Sequence, residues 1–188
     1  ASAQSLGPRS ERHRAVPSPH IRVVSPGAAV NRRIVEKAAA LLEGQGCRVT
    51  FGAHVFDRHR YLAGLLADRL RDLRDAFLDD AADVVWCARG GTGAAQLLPH
   101  LGEWFASKPI VGYSDNCCLL AEAQRRGGYA LHGLVFEELV LGPGETLLRP
   151  DAIDALRLLG ELGGATPSPR TCPVEAAQTG PRAASSGR

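Results

Sequence analysis

Two short stretches of this chain have residue types and spacing suited to acyl transfer. In Gly112-Tyr113-Ser114-Asp115 a serine stands between the β-branched pair Ile110-Val111, which reads as a buried strand, and Asn116 to Arg125, which reads as a helix. A serine at so sharp a turn projects its hydroxyl from the carboxyl edge of a sheet, and the amides of the next helix's first turn face whatever binds beside it. That is the layout of a nucleophile elbow. Ser114 or Asp115 serving only as a helix cap is the plainer reading, since both residue types cap well. In the second stretch, a strand at Asp83 to Ala88 runs into Arg89-Gly90-Gly91-Thr92-Gly93 and then a helix ending near His100. As a phosphate cradle this loop lacks the Lys-Ser/Thr of a Walker loop and the Gly-x-Gly-x-x-Gly spacing of dinucleotide folds. As a bare turn it would serve close packing of helix on strand. In the reading preferred here, small residues let backbone amides approach a substrate. The amides of Asp115 and Gly91 are then the candidates to hold the oxyanion that forms as a carbonyl is attacked.

Together the two stretches resemble the LD-carboxypeptidases, serine peptidases whose amino-terminal domain carries an Arg-Gly-Gly-Tyr-Gly loop followed by Gly-Tyr-Ser-Asp. The likeness continues in Val24-Ser25-Pro26-Gly27, Leu62-Ala63-Gly64 and Leu131-His132-Gly133, covering about residues 20 to 160. It implies a catalytic Ser114, with Arg89, Gly90, Thr92, Gly93, Tyr113 and His132 lining the substrate. Thr92 stands where the family usually has an aromatic residue, so part of that wall is altered. The implied activity is removal of the terminal D-alanine from a murein tetrapeptide during cytoplasmic peptidoglycan recycling, with no cofactor and no metal. A self-immunity peptidase of the same family, acting on a peptide-nucleotide antibiotic, is an alternative. From a different class, a non-catalytic flavodoxin-like module would hold an anionic ligand or partner in the glycine loop. Family members continue into a second domain that supplies the glutamate and histidine of a Ser-His-Glu triad. This sequence stops about where that domain would begin, and Gly163 to Arg188 contains no histidine. The expectation is therefore an incomplete, poorly active chain whose partner is its missing second domain or a second copy in a homodimer. His132, at the end of a fifth strand from Tyr129, is the histidine nearest the elbow, but the likeness gives it a lining role rather than that of base.

The positioning elements follow from βα alternation. Strands at Ile21 to Val24, Cys47 to Phe51, Asp83 to Ala88, Ile110-Val111 and Tyr129 to His132 alternate with helical stretches, predicting an α/β domain with a five-stranded parallel sheet. The class expected is flavodoxin-like or class I glutamine-amidotransferase-like, and the resemblance implies that the carboxyl-terminal domain is missing. A helix from about Asn31 to Glu43 turns Ile34, Ala38, Leu41 and Leu42 inward. Another, Leu62 to Leu78, carries an apolar stripe of Leu62, Leu65, Leu66, Leu70, Leu73 and Phe77. Its Asp68, Arg69, Arg71, Asp72, Arg74 and Asp75 form a solvated face. A last helix, capped by Asp151, points Ile153, Leu156 and Leu159 inward. The domain runs over 20–162, between a disordered leader at 1–19 and a low-complexity tail at 163–188.

Composition narrows the classes. With 188 residues, 45% of them hydrophobic, the chain suits one compact domain plus tails. Its 22 basic and 20 acidic residues give a net charge of +2 without a basic stripe, which argues against a nucleic-acid partner. No apolar run approaches the roughly 20 residues of a membrane span. Residues 1–19 lack the apolar centre of a signal peptide, so a cytoplasmic location is expected. There is no methionine, which fits a processed product or a piece of a longer chain. The five cysteines, Cys47, Cys87, Cys117, Cys118 and Cys172, lack Cys-x-x-Cys spacing and read as reduced thiols, mostly buried. Cys117 and Cys118 sit where a helix amino terminus would lower a thiol's pKa. His54, Asp57 and His59 fit no standard zinc spacing and read as a surface loop with two solvated histidines.

Overall fold

Period-two alternation in the strands divides the molecule into two apolar layers. In the computed structural model, which describes residues 18–140 and 147–163, β1 (His20–Val24) turns Ile21 and Val23 to one face and Val24 to the other. β3 (Val84–Cys87) likewise turns Val84 and Trp86 one way and Val85 and Cys87 the other. With β2 (Arg48–Phe51), β4 (Ile110–Gly112) and β5 (Ala130–His132), they form a five-stranded parallel sheet in the order β2-β1-β3-β4-β5. Helices α1 (Arg32–Glu43) and α4 (Pro150–Gly163) cover one face, through Val35, Ala38, Leu42, Ala152 and Leu156. Helices α2 (Leu66–Leu78) and α3 (Cys117–Arg125) cover the other, through Leu73, Phe77, Leu119 and Ala123. Order and direction are those expected of a flavodoxin-like sheet, which gathers ligands at the carboxyl ends of its strands where the order reverses, here between β1 and β3.

Local chemistry sets the element ends. Asn31 caps α1 by accepting a hydrogen bond from the Arg33 amide. On the first apolar layer Trp86 is fully buried, donates from Nε1 to the Leu134 carbonyl at 2.7 Å and meets Phe136 edge-on. That contact ties the centre of the sheet to the segment leaving β5. The stretch after the glycine loop, Ala94–His100, is a 3₁₀ helix rather than an α-helix, with Pro99 inside it. In α4, Ala152, Ala155, Leu156 and Leu159 are buried, while Ile153 is only partly so. The expected leader falls outside the described residues except for its last two, as does the tail after Gly163, and with it Cys172. Among the described residues, no helix is long and apolar enough to cross a membrane.

Helix α2 departs most from the sequence expectation. It starts at Leu66 rather than Leu62, leaving Leu65 and Leu66 exposed. Its charged face is not wholly solvated, for Arg69 and Asp72 are 2% and 3% exposed. Both reach carbonyl or amide groups of loops at the top of the sheet, and those hydrogen bonds outweigh the apolar periodicity that would have turned them out. Asp72 accepts from the His54 amide at 2.8 Å and lies where a side chain on Gly52 would stand.

Burial pushes the Asp72 carboxyl above its ordinary range. The folded state then holds that proton more tightly than the unfolded chain. This stabilises fully below the unfolded value of about 3.9 and fades as pH rises through the raised folded value. Asp72→Asn should therefore gain on the wild type, in urea midpoint, as pH is raised from about 4 to about 7. A gap between the two proteins that stays constant across that range would contradict the assignment.

Candidate active site

Three loops at the carboxyl edge of the sheet converge on Ser114. Strand β4 is buried at all three residues and delivers an extended Tyr113 to the edge. Ser114 then takes φ +60°, a left-handed conformation uncommon for a side-chain-bearing residue, and stands exposed at the head of a 3₁₀ turn, Ser114–Asn116, that feeds α3. Such a backbone costs on the order of 1–3 kcal/mol and persists only where neighbours enforce it.

Those neighbours are identifiable. Asn116 is fully buried, and its Nδ2 donates to the Arg89 carbonyl at 3.0 Å and to the Tyr113 carbonyl at 3.2 Å. One amide thus ties the glycine loop to the elbow. Asp115 does not cap its own helix. Its Oδ2 instead accepts from the Ala94 amide at 2.7 Å, just past the glycine loop. Helix α3 has no side-chain cap at all, so the capping reading of Ser114 and Asp115 does not describe this turn.

The glycine loop is shaped by contact as much as by backbone freedom. A Cβ on Gly90 would lie 2.8 Å from the Ser114 Cβ and 3.1 Å from its Oγ, so Gly90 is the floor against which the serine sits. Gly93 has φ +126°, and a Cβ there would meet Leu62 at 2.6 Å. Gly91 and Thr92 are exposed beside it. The Arg89 guanidinium turns away, donating to the Ala29 carbonyl at 3.1 Å and lying 3.6 Å from Glu137. On the far side of the elbow, parallel pairing sets His132 beside Gly112, and its ring meets Tyr113 edge-on at 6.1 Å. The Tyr113 hydroxyl donates to Glu138 at 2.8 Å, and that bond to a carboxylate pushes the phenol's pKa up. Tyr113, His132 and Glu138, with Arg149, Asp154 and Leu158 of the α4 region, enclose a cleft of about 520 Å³. The residues expected to line a substrate therefore fall into two groups, the glycine loop on one flank of Ser114 and Tyr113 with His132 on the other.

The remaining candidates are placed elsewhere. Two described histidines engage other groups: His20 contacts the Ala81 carbonyl and Thr50, and His54 contacts Asp57 at 2.7 Å. His59 is exposed, whereas His54 is partly buried, so only one of the two is solvated as expected. His54, Asp57 and Asp68 form a cluster with ligand atoms within 4.8 Å of one another, but Arg71 lies 3.3 Å from His54 Nε2, and the group reads as a charge-paired surface cluster. Cys47 and Cys87 are buried, and both thiols are pushed up by burial. The Cys118 thiol is also raised, by burial and then by the nearby Asp115 charge, and its Sγ donates to the Asp115 carbonyl. The helix amino terminus does not activate it. Asn116 and the Asp115–Ala94 bond escaped sequence reading, because an asparagine and an aspartate at a helix start signal a local cap, not a tie to a distant loop.

Comparison with known proteins gives the site its context. The family model described as the LD-carboxypeptidase N-terminal domain matches residues 21–133. The murein tetrapeptide carboxypeptidase of Pseudomonas aeruginosa is 38% identical over an alignment of 128 residues that covers 65% of this chain and 41% of that protein. A crystal structure of muramoyltetrapeptide carboxypeptidase from Oxalobacter formigenes superposes with a TM-score of 0.57 at 25% identity, covering 62% of this chain and 40% of the other. The microcin C7 self immunity protein MccF superposes at 0.61 with 20% identity, covering 74% and 42%, a likeness of fold alone. The chain spans about two fifths of the length of these relatives.

The contact between Gly90 and Ser114 is open to test. Gly90→Ala forces the serine or its loop to move, and a misplacement of about 1 Å lowers reactivity by about 100-fold. In the complete polypeptide, second domain included, Ser114 in Gly90→Ala should react that much more slowly with a serine-directed phosphonate, while the fold, followed by circular dichroism, persists. Unchanged reactivity would show that Gly90 is not the serine's floor.

Proposed function

The chain belongs to the LD-carboxypeptidase family, and on that premise we propose that it carries the nucleophile of a serine-type carboxypeptidase acting on murein peptide. The observation that carries the proposal is the left-handed, exposed Ser114, set close against Gly90 of the glycine loop. In this reading Ser114 Oγ attacks the carbonyl between the L-centre of a diamino acid and the terminal D-alanine. Its proton passes to a general base and from there to the departing amine as the C–N bond breaks. The amides of Asp115 and Gly91 hold the oxyanion, which is worth several kcal/mol in such sites. Water then releases the tripeptide from the acyl-enzyme. Tyr113, His132 and the cleft beside them receive the peptide on the acyl side, and the main chain of Arg89 to Gly93 forms the opposite wall, the Arg89 side chain being held by Ala29 and Glu137.

The base is proposed to be a histidine backed by a glutamate, delivered by the second domain that family members carry. His132 is better suited to lining the peptide, because its ring is set against Tyr113. A role in cytoplasmic peptidoglycan recycling belongs to the same proposal, and the names of the murein and muramoyltetrapeptide carboxypeptidases that the chain resembles support the murein substrate it requires. The likeness to MccF is one of fold and favours no particular substrate.

A fluorophosphonate should label the complete polypeptide at Ser114, and murein tetrapeptide should lose its D-alanine in its presence. Ser114→Ala should abolish the label and lower turnover by a factor on the order of 10⁶, as in dissected serine triads. Labelling that survives the substitution, or an intact polypeptide that neither labels nor cleaves, would overturn the assignment.

A further inference from the structure

Arg69 is the largest buried charged side chain in the described structure, with 2% exposure, and it lies on α2 rather than on a loop of the site. Its guanidinium makes two hydrogen bonds to main chain and one to a side-chain amide, while Nε is buried without a hydrogen-bond partner. Nη1 donates to the Pro26 carbonyl at 2.7 Å and to the Gly93 carbonyl at 3.0 Å, and Nη2 donates to Gln96 Oε1 at 2.7 Å. Desolvation lowers the guanidinium's pKa, and the Asp115 carboxylate nearby opposes that shift. A buried guanidinium is retained only where its fork finds matched acceptors, and here they come from the loop after β1, the glycine loop and the 3₁₀ helix.

The Gly93 carbonyl and the Ala94 amide belong to one peptide group. Arg69 donates to its oxygen, and Asp115 Oδ2 accepts from its N–H at 2.7 Å. A single peptide plane is thus held between a guanidinium and a carboxylate, an arrangement in which each charge-assisted bond polarises the other. Asp115 directly follows Ser114, and the far end of the glycine loop, Gly90, touches the serine. The φ of +126° at Gly93 matters here, because any Cβ would come 3.0 Å from the Arg69 Nη1.

We infer that Arg69 is a positioning residue of the nucleophile site, fixing the Gly93–Ala94 peptide from its oxygen side while Asp115 holds the N–H side, and so setting the glycine loop against Ser114. The inference rests on the reading of Ser114 as nucleophile for its effect on chemistry, but not for the clamp itself. Arg69 acts through Gly93, Ala94 and Asp115, and touches neither substrate nor the serine.

The test uses the ¹⁵N-labelled complete polypeptide, second domain included, and two variants. Arg69→Met should shift the amide resonances of Ala94, Gly91 and Asp115. It should also slow phosphonylation of Ser114 by about 100-fold at temperatures well below its melting point. Arg69→Lys should recover part of that rate, since an ammonium keeps the charge and one donation but cannot span all three acceptors. A residue that only stabilised the fold would lower the melting temperature and leave the rate of the folded protein unchanged. If Arg69→Met does not fold, Arg69→Lys against wild type carries the comparison. Folded variants whose Ala94 and Asp115 resonances stay in place would overturn the clamp. A wild-type complete polypeptide that does not phosphonylate would sink the nucleophile reading instead, and the amide shifts would still decide the clamp.

Discussion

A serine held at φ +60° is the constraint on which the rest of this site depends. Left to itself the residue would relax to an ordinary backbone, at a gain of on the order of 1–3 kcal/mol. Three ties prevent it: the Asn116 amide bound to two carbonyls, the Asp115 carboxylate bound to the Ala94 amide, and Gly90 packed against the serine's own Cβ. None of them is a hydrogen bond to the serine hydroxyl, and the residue is left exposed. Strain and exposure thus have one origin, since the ties that force the turn also hold Ser114 above the sheet's edge. The buried strand β4 supplies the rigid post, and the exposed residue at its end supplies the chemistry.

Behind the ties lies a second layer of buried charge on α2. Arg69 and Asp72 sit one turn apart on the helix and reach in different directions, Arg69 to the loops after β1 and β3, Asp72 to the loop after β2. One helix therefore braces three strand-to-helix connections at the same edge. Burying a guanidinium and a carboxylate costs several kcal/mol each before their hydrogen bonds are counted, which makes the pair a poor device for stability alone. It is better suited to fixing loop conformation, because charge-assisted bonds to main chain are short and directional. Of the described cysteines, Cys47 and Cys87 contribute as buried apolar volume, Cys87 most completely, whereas Cys117 and Cys118 are half-buried.

Much of this fold is legible in the sequence because strand and turn signals agree. Ile110-Val111 before a glycine, and Val84 to Cys87 before a glycine loop, locate two strands and their carboxyl ends, and alternation of βα units fixes direction. The same signals bring Ser114, Arg89 to Gly93 and His132 to one edge, where the structure has them. Reading α2 as an amphipathic helix with a wet charged face failed for a definite reason. Periodicity weighs hydrophobicity alone and has no way to see that Arg69 and Asp72 find main-chain partners far away in sequence. Asn116 was missed on similar grounds, since a buried side-chain amide that bonds across loops leaves no local pattern. The 3₁₀ helix at Ala94–His100 is the reverse case, because Pro99 within that stretch is a local signal against a regular α-helix that the sequence reading did not use.

A structure of the Ser114–phosphonate adduct measures the central claim most directly, because the phosphonyl oxygen stands where the oxyanion would form. The account predicts that oxygen within about 2.7–3.1 Å of both the Asp115 and the Gly91 amide nitrogens, with the Gly93–Ala94 peptide still held between Arg69 and Asp115. An adduct whose oxygen points into solvent, or a phosphonate bound to any residue other than Ser114, would contradict it.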